Sequence, residues 1–582
     1  MPVGLNRIRF AKYPVQERKL NFFADYYQYF VHFAGQLPAF EIETPYALVD
    51  KIIFQLNHNL LDKAPTYLKN HFAKLKAYPK GYTKNFVKYK PVIQWYDGWR
   101  SAGTKSQYLI THLSSLKVLL AELEKELEVE MLKSSIESLK NMILCNHPLE
   151  QHIDAIAFHS RLLASGIIIK RKSRAEAREL FDVVMTNEYN KFPYPKHIST
   201  DDAKREFFSK KTIKETLDAI GYFSEKEPEE WDVNFKISDI IMPEGYVFSH
   251  GKVKIYPADH PDKKAMIDIA KAAGDPYVES FFTGSEYAIA EVRVDSVTYE
   301  GAHRNALKDL SSTLDFMEVA LGRNFSFQKG DYLFSTDRKN YGYWFKAAYQ
   351  HKLITSIDQI KLDDNAYQFF EKNPSSAKQE FLAQEMEYIK ARGDVNIARL
   401  WGYLEVLFND KTVGKGIKGF CSGALMLYEK QFRFPQVYSY LRNAIHPMNT
   451  GANDIGLTID EQFDNIRKDS DFKELNQKIK SDFFRLAIKD LYVRRTKKWV
   501  TSQRNAYYAL LEEAYEQRNM QDHGGKMNAP AFTKLTYTLP LLTVRMRWVV
   551  FGYIKRHPTY NFNQIVQAIR DDVNAKIGPY RP

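Results

Sequence analysis

Residues 114–144 read SSLKVLLAELEKELEVEMLKSSIESLKNMIL. Leu116, Leu119, Leu120, Leu123, Leu127 and Met131 recur at spacings of three and four, which is one apolar stripe at the helical period. Glu124, Glu126, Glu128 and Glu130 fall largely on the other side and predict a solvated face. The stretch therefore predicts a long helix packed along one side. Just upstream, IQWYDGWRSAGTKSQ reads as a glycine- and aromatic-bearing connection, and YYQYF at 26–30 reads as core. Together these predict an N-terminal helical region over residues 1–145.

A second helical region is expected over 146–230. HIDAIAFHSRLLASGIIIK and SRAEARELFDVVMT are its two helical pieces, with Ser173 as N-cap and Glu176 as its capping-box partner. FPYPKHIS, at 192–199, interrupts it with two prolines. The pattern then changes to runs of β-branched and aromatic residues in WDVNFKISDIIMP, YVFSHGKVKIYPA and YAIAEVRVDSVTYE, which predict strands. AHRNALKDLSSTLDFMEVAL, from 302, predicts a helix against that sheet, and DYLFSTD and YGYWFKAAY a return to strand. This central α+β region is expected over 231–370. From KNPSSAKQ onward the apolar spacing is helical again, giving a C-terminal helical domain over 371–582. The fold class expected is α+β, predominantly α-helical, with one small antiparallel sheet.

The chain has 582 residues, 44% of them hydrophobic and 26% charged, enough apolar material to bury a core and exclude a mostly disordered chain. Two cysteines, Cys145 and Cys421, exclude a disulfide scaffold and a four-cysteine zinc site. The most apolar late stretch, LPLLTVRMRWVVFGYIKR, is interrupted by Arg545 and Arg547, so no membrane span is expected. The N-terminus carries no apolar signal core, and a cytoplasmic protein is expected. Lysine and arginine number 83 against 71 acidic residues, a net charge of +12, which favours polyanionic partners.

Several short motifs carry little. Gly414, Gly416 and Gly419 have G-x-G-x-x-G spacing, but a helical pattern precedes them where a dinucleotide fingerprint needs a strand. The segment reads as a basic loop whose Lys415 and Lys418 can touch phosphate. His147, Glu150, His152, Asp154 and His159 cluster in NHPLEQHIDAIAFH, but without H-E-x-x-H spacing, and they read as a polar helix start. No metal and no cofactor are expected.

AYEQRNMQDHGG is the informative stretch. Tyr507, Leu511, Tyr515 and Arg518 share one side of a helix that glycine at 524 is suited to end. Arg518 then lies on the last turns and His523 at the terminus, where the backbone dipole favours a cation. Histidine can move protons near neutral pH, and arginine stays charged and grips phosphate oxygens in pairs. RNA supplies its own nucleophile in the 2′-hydroxyl, so Arg518, Asn519 and His523 are candidates for metal-free phosphodiester cleavage. Five residues of helix separate Arg518 and His523 by about 140°, so two such helices close a site better than one. Arg442, Asn443 and His446 form a second candidate string, with Arg442 and His446 about 40° apart on one face.

On these residues the C-terminal third, roughly 375–582, resembles the HEPN ribonucleases, helical domains marked by an Arg-polar-x3-His motif. Arg518, Asn519 and His523 match that motif. LWGYLEVLF at 400–408 is similar to the LW-x-x-LE-x-L helix of HEPN proteins linked to abortive infection and phage defence, with Glu405 as its acidic residue. The resemblance implies a metal-independent endoribonuclease with a composite site in a homodimer or higher homo-oligomer. His523 would transfer protons, Arg518 would hold the scissile phosphate and Asn519 would orient them. Lys415, Lys418 and Lys526 would contact RNA, and the upstream regions would sense or regulate, with a phage-derived trigger or regulatory partner. Such effectors act as toxins. The interval from Glu405 to Arg518 is longer than the compact family pattern, and the Arg442/His446 string is one residue short of it. The alternative is a non-catalytic HEPN-like nucleic-acid-binding or scaffold protein.

Overall fold

The computed structural model of the chain describes residues 14–33, 44–57, 65–103, 106–171, 174–185, 188–238, 246–257, 260–273, 276–283, 288–321, 326–336, 342–345, 397–408, 416–429, 481–483, 485–486, 497–522 and 529–578. It is predominantly helical, with one small antiparallel sheet. The chain divides into two compact units. One holds residues 1–172, 181–221 and 362–582, and the other 173–180 and 222–361.

The first unit begins with α1 (Pro14–Phe33), α2 (Pro45–Asn57), α3 (Pro65–Lys76), α4 (Lys80–Thr83), α5 (Tyr89–Ser101) and α6 (Ser106–Thr111). Then come α7 (Leu113–Leu144), α8 (Ile153–Arg171), α9 (Arg174–Val184, divided between the units), α10 (Asp201–Lys210) and α11 (Ile213–Glu225, whose last turn belongs to the other unit). The stripe read at 116–131 is the buried side of α7, with Leu116, Leu120, Leu123, Leu127 and Met131 buried and Leu119 packed beside them. The acidic side of α7 is not only solvated. The Glu126 carboxylate accepts the backbone N–H groups of Val87 and Lys88, each at 2.8 Å, and so closes the start of α5.

The reading of 93–107 as a connection is corrected: most of it is α5. Val92, Trp95, Tyr96 and Trp99 recur at spacings of three and four, and all four are buried. Phe72 of α3 stacks on Tyr96 at 5.2 Å. Burial of these rings outweighs the roughly 1 kcal/mol that Gly98 costs a helix interior.

The C-terminal part of this unit is a bundle of α15 (Ile397–Phe408), α16 (Ile417–Leu427), α17 (Lys497–Asp522), α18 (Ala529–Arg556) and α19 (Phe562–Lys576). Trp401, Leu404, Cys421, Leu425, Leu511 and Met546 belong to its core. Buried polar groups tie the bundle. Arg504 donates to the carbonyl oxygens of Gly578 and Gly419, and Arg545 donates to the Tyr507 hydroxyl at 3.2 Å, which in turn donates to Glu429. The N-terminal helices and this bundle meet: α2 packs on α18, and buried Lys51 pairs with buried Glu513.

The second unit is built on strands β1 (Glu229–Ser238), β2 (Phe248–His250), β3 (Val253–Tyr256), β4 (Ala288–Ser296), β5 (Ser326–Ser335) and β6 (Gly342–Phe345). Their order is β2-β3-β4-β1-β5-β6, with every neighbouring pair antiparallel. Val233 lies opposite Val292 and Phe235 opposite Ala290. Alternate residues face opposite sides. On one side α14 (Tyr299–Leu321) buries Ala302, Ala306, Leu310 and Leu314 with Val233, Phe235 and Val292. On the other, α12 (Pro261–Ala273) and α13 (Pro276–Thr283) join Tyr256, Ile289 and Leu333 in a smaller cluster with Phe281 and Phe282. The helix expected from 302 and the strands at 331 and 341 are therefore all present. Glu176 accepts a hydrogen bond from Ser296 at 2.9 Å; its expected cap partner, Ser173, lies outside the described residues. No described helix is long and apolar enough to cross a membrane.

Candidate RNA-cleaving site on α15 and α17

Helical spacing builds the site. Trp401 and Glu405 are four residues apart on α15 and so share one face. The Trp401 indole Nε1 donates to Glu405 Oε1 at 2.9 Å. The other carboxylate oxygen, Oε2, accepts from Arg518 Nη2 of α17 at 3.3 Å. Arg518 Nη1 donates to Asn519 Oδ1 at 3.0 Å. Tyr515, one turn before Arg518, packs its ring on Trp401 with centroids 5.5 Å apart. The guanidinium is thus gripped from two sides, and its plane is set by a carboxylate that is itself fixed by an indole.

The pair is not sealed in the core. The Arg518 side chain is 30% exposed and that of Glu405 27%. A cation held in one orientation at a partly open surface can meet an anionic ligand without a large desolvation cost. Arg518, Asn519 and Glu405 are therefore brought together. His523 follows the last residue of α17 and lies outside the described residues, as do Arg442, Asn443, His446, Lys415 and Lys526.

Lys418, read as a phosphate contact, sits on α16 against α17. Its ammonium pairs with Glu512 at 3.3 Å and lies over the rings of Tyr508 and Tyr515 at 5.5 and 5.1 Å. This anchors α16 to α17 immediately beside the Arg518 cluster. Four residues beyond Glu512 on α17, Glu516 has its carboxyl pushed up to about 8. Burial is the main cause and neighbouring Glu513 adds to it, while Lys51 and Lys74 oppose.

The histidine-rich start of the second region separates into different roles. Glu150 pairs with Arg18 at 2.7 Å. His159 is buried between the rings of Phe158 and Tyr82, and burial lowers its pKa to about 4. Asp154 lies in the first turn of α8. His147 and His152 stack at 5.9 Å, and Cys145 joins them, with Sγ 3.3 Å from His152 Nε2. The sequence reading began this cluster at His147 and left out Cys145 two residues earlier. The signal was present as Cys-x-His-x4-His, a spacing outside the zinc patterns sought.

The Trp401 contact was also missed, although its position one turn before Glu405 was in plain view. No protein-family model, no curated protein and no solved structure matches this chain.

Proposed function

We propose that the chain is a metal-independent endoribonuclease of the HEPN type, acting as an abortive-infection effector. The observation that carries the reading is the Arg518 guanidinium, fixed by Glu405 and Asn519 near the end of α17 and partly open to solvent. Arg518 grips the non-bridging oxygens of the scissile phosphate. His523, five residues on, takes the proton of the 2′-hydroxyl or supplies one to the leaving oxygen. The 2′-oxygen attacks phosphorus, the bond to the 5′-oxygen breaks, and the products are a 2′,3′-cyclic phosphate and a 5′-hydroxyl. Charge builds on the phosphorane as attack proceeds, which is where a pre-oriented cation contributes most. Glu405 is a positioning residue. The resemblance implies a composite site, so the active form is a homodimer or larger homo-oligomer. The net charge of +12 suits an RNA partner. The upstream helices and sheet unit sense or regulate, and the cytoplasm is the compartment where such an effector works.

A second reading follows from the same ion pair. Glu405 already neutralises Arg518 within the chain, which suits a HEPN-like scaffold or RNA-binding protein without cleavage. The two are separated by incubating the purified chain with RNA in EDTA. Cleavage yields fragments with cyclic-phosphate ends and spares RNA whose 2′-hydroxyls are methylated. Binding without cleavage removes the ribonuclease reading, and cutting of the methylated strand removes the 2′-hydroxyl mechanism.

A further inference from the structure

The turn between α7 and α8 brings three metal-ligating side chains to one point. The ligand atoms of Cys145, His147 and His152 all lie within 4.8 Å of one another. Cys145 Sγ and His152 Nε2 are 3.3 Å apart. In a tetrahedral zinc site the corresponding sulfur–nitrogen edge spans about 3.6 Å, given bonds of about 2.3 and 2.05 Å. The two groups therefore already stand near the separation a shared ion would impose. His147 is exposed and its ring stacks on that of His152 with centroids 5.9 Å apart.

The backbone holds this arrangement. Cys145 terminates α7, with its N–H on the Asn141 carbonyl. Pro148 then opens a single 3-10 turn, Leu149–Gln151, and the His152 N–H closes on the Leu149 carbonyl at 2.8 Å. Ile156 N–H donates to the His152 carbonyl at 2.8 Å, so His152 also enters the first turn of α8. Two of the three donors are thus fixed by helix ends.

The end of α7 attracts cationic and N–H donors, and Lys19 and Gln16 of α1 already take that place. The last carbonyls of a helix have no intrahelical donors, and its C-terminus carries the negative end of the dipole. Here α1 supplies donors: Gln16 reaches the Leu144 carbonyl at 2.8 Å, and fully buried Lys19 reaches the carbonyls of Met142 and Cys145. Lys19 Nζ also lies 3.2 Å from Cys145 Sγ. The Cys145 thiol itself donates to the Met142 carbonyl at 3.2 Å, and since cysteine binds metal as the thiolate, binding releases that proton. The sulfur keeps further lone pairs for an ion, although the nearby ammonium lowers its affinity.

We infer that Cys145, His147 and His152 form a binding site for a borderline divalent cation of the zinc class. A thiolate with two imidazoles selects zinc or cobalt over magnesium and calcium, which take oxygen ligands. Three protein donors leave a fourth position for solvent or a further ligand. The site uses none of the residues proposed for RNA cleavage and departs from the metal-free expectation drawn from the sequence.

The test titrates the full-length, untagged, chelator-stripped chain with cobalt(II) alone, then with zinc(II). A single equivalent should give tetrahedral visible bands with a thiolate-to-cobalt charge-transfer band, and zinc should displace both. Cys145→Ser should abolish the charge-transfer band. His147→Ala, at an exposed position where folding is readily checked by circular dichroism, should weaken binding at least tenfold. A folded wild type without the charge-transfer band overturns the site. So does a band that survives Cys145→Ser, or a folded His147→Ala variant that binds as tightly as wild type.

Discussion

Arg518 near the end of α17 donates to Glu405 in α15 across 3.3 Å, and the Trp401 indole holds the far oxygen of the same carboxylate. The relay joins two helices whose sequences lie 113 residues apart. An ion pair this exposed contributes about 0–1 kcal/mol to folding, so its main effect is on where the guanidinium points. Glu405→Gln should lower the unfolding free energy by less than about 1 kcal/mol. Under the proposed function it should slow RNA cleavage roughly ten- to a hundredfold, because a misaligned catalytic group costs rate steeply. Urea unfolding and single-turnover cleavage on the same preparation check both halves.

Arg504 is the structural counterpart of Arg518. It is buried and donates to the carbonyl oxygens of Gly419 and Gly578, tying the starts of α16 and α17 to the end of α19. Arg504→Met leaves those carbonyls without this donor and should cost about 3 kcal/mol. A lowered urea midpoint with an unchanged slope is the expected result.

His159 makes the chain sensitive to acid. Burial holds its pKa near 4 in the folded state against an ordinary 6.5. As pH falls, the unfolded chain takes up this proton first, so stability declines below about pH 6.5. Between pH 7 and pH 5 the loss is about 2 kcal/mol. His159→Leu should remove that part of the decline, read as the difference in unfolding free energy at the two pH values.

Glu516 acts in the opposite direction. Burial and Glu513 raise its carboxyl to about 8, so the folded chain keeps a proton that the unfolded chain releases near its ordinary 4.5. Its contribution is full below about pH 4.5 and is lost as pH rises to about 8. Glu516→Gln should therefore lose less stability than wild type between pH 6 and pH 8.5, measured by thermal unfolding.

The parts of this architecture that were legible in the sequence are those carried by local periodicity. The α7 stripe and the strand alternation at 231–237 and 288–294 are one-dimensional patterns, and each maps onto a buried face. Arg518 and Asn519 were legible as a motif, but their meeting with Glu405 was not, because that partner lies 113 residues away in the chain. What stayed hidden depends on partners remote in the chain. Gly98 disguised α5, whose helix is held by rings packing on Phe72. The contacts of Lys418 with Glu512, Tyr508 and Tyr515 likewise follow no local pattern. The Lys51–Glu513 pair joins α2 to α17 across the length of the chain. Cys145 and His152 meet only because α7 stops where the turn after Pro148 can carry His152 back.

The central claim is that Arg518 and His523 act together on one phosphodiester, and cleavage by substituted chains tests it most directly. Wild type, Arg518→Lys and His523→Ala are compared for release of cyclic-phosphate ends from RNA in EDTA, after unfolding curves confirm that each is folded. We expect both variants to lose at least a hundredfold in rate, since lysine keeps the charge but not the paired grip and alanine cannot carry a proton. Folded variants that cut as fast as wild type would contradict the account.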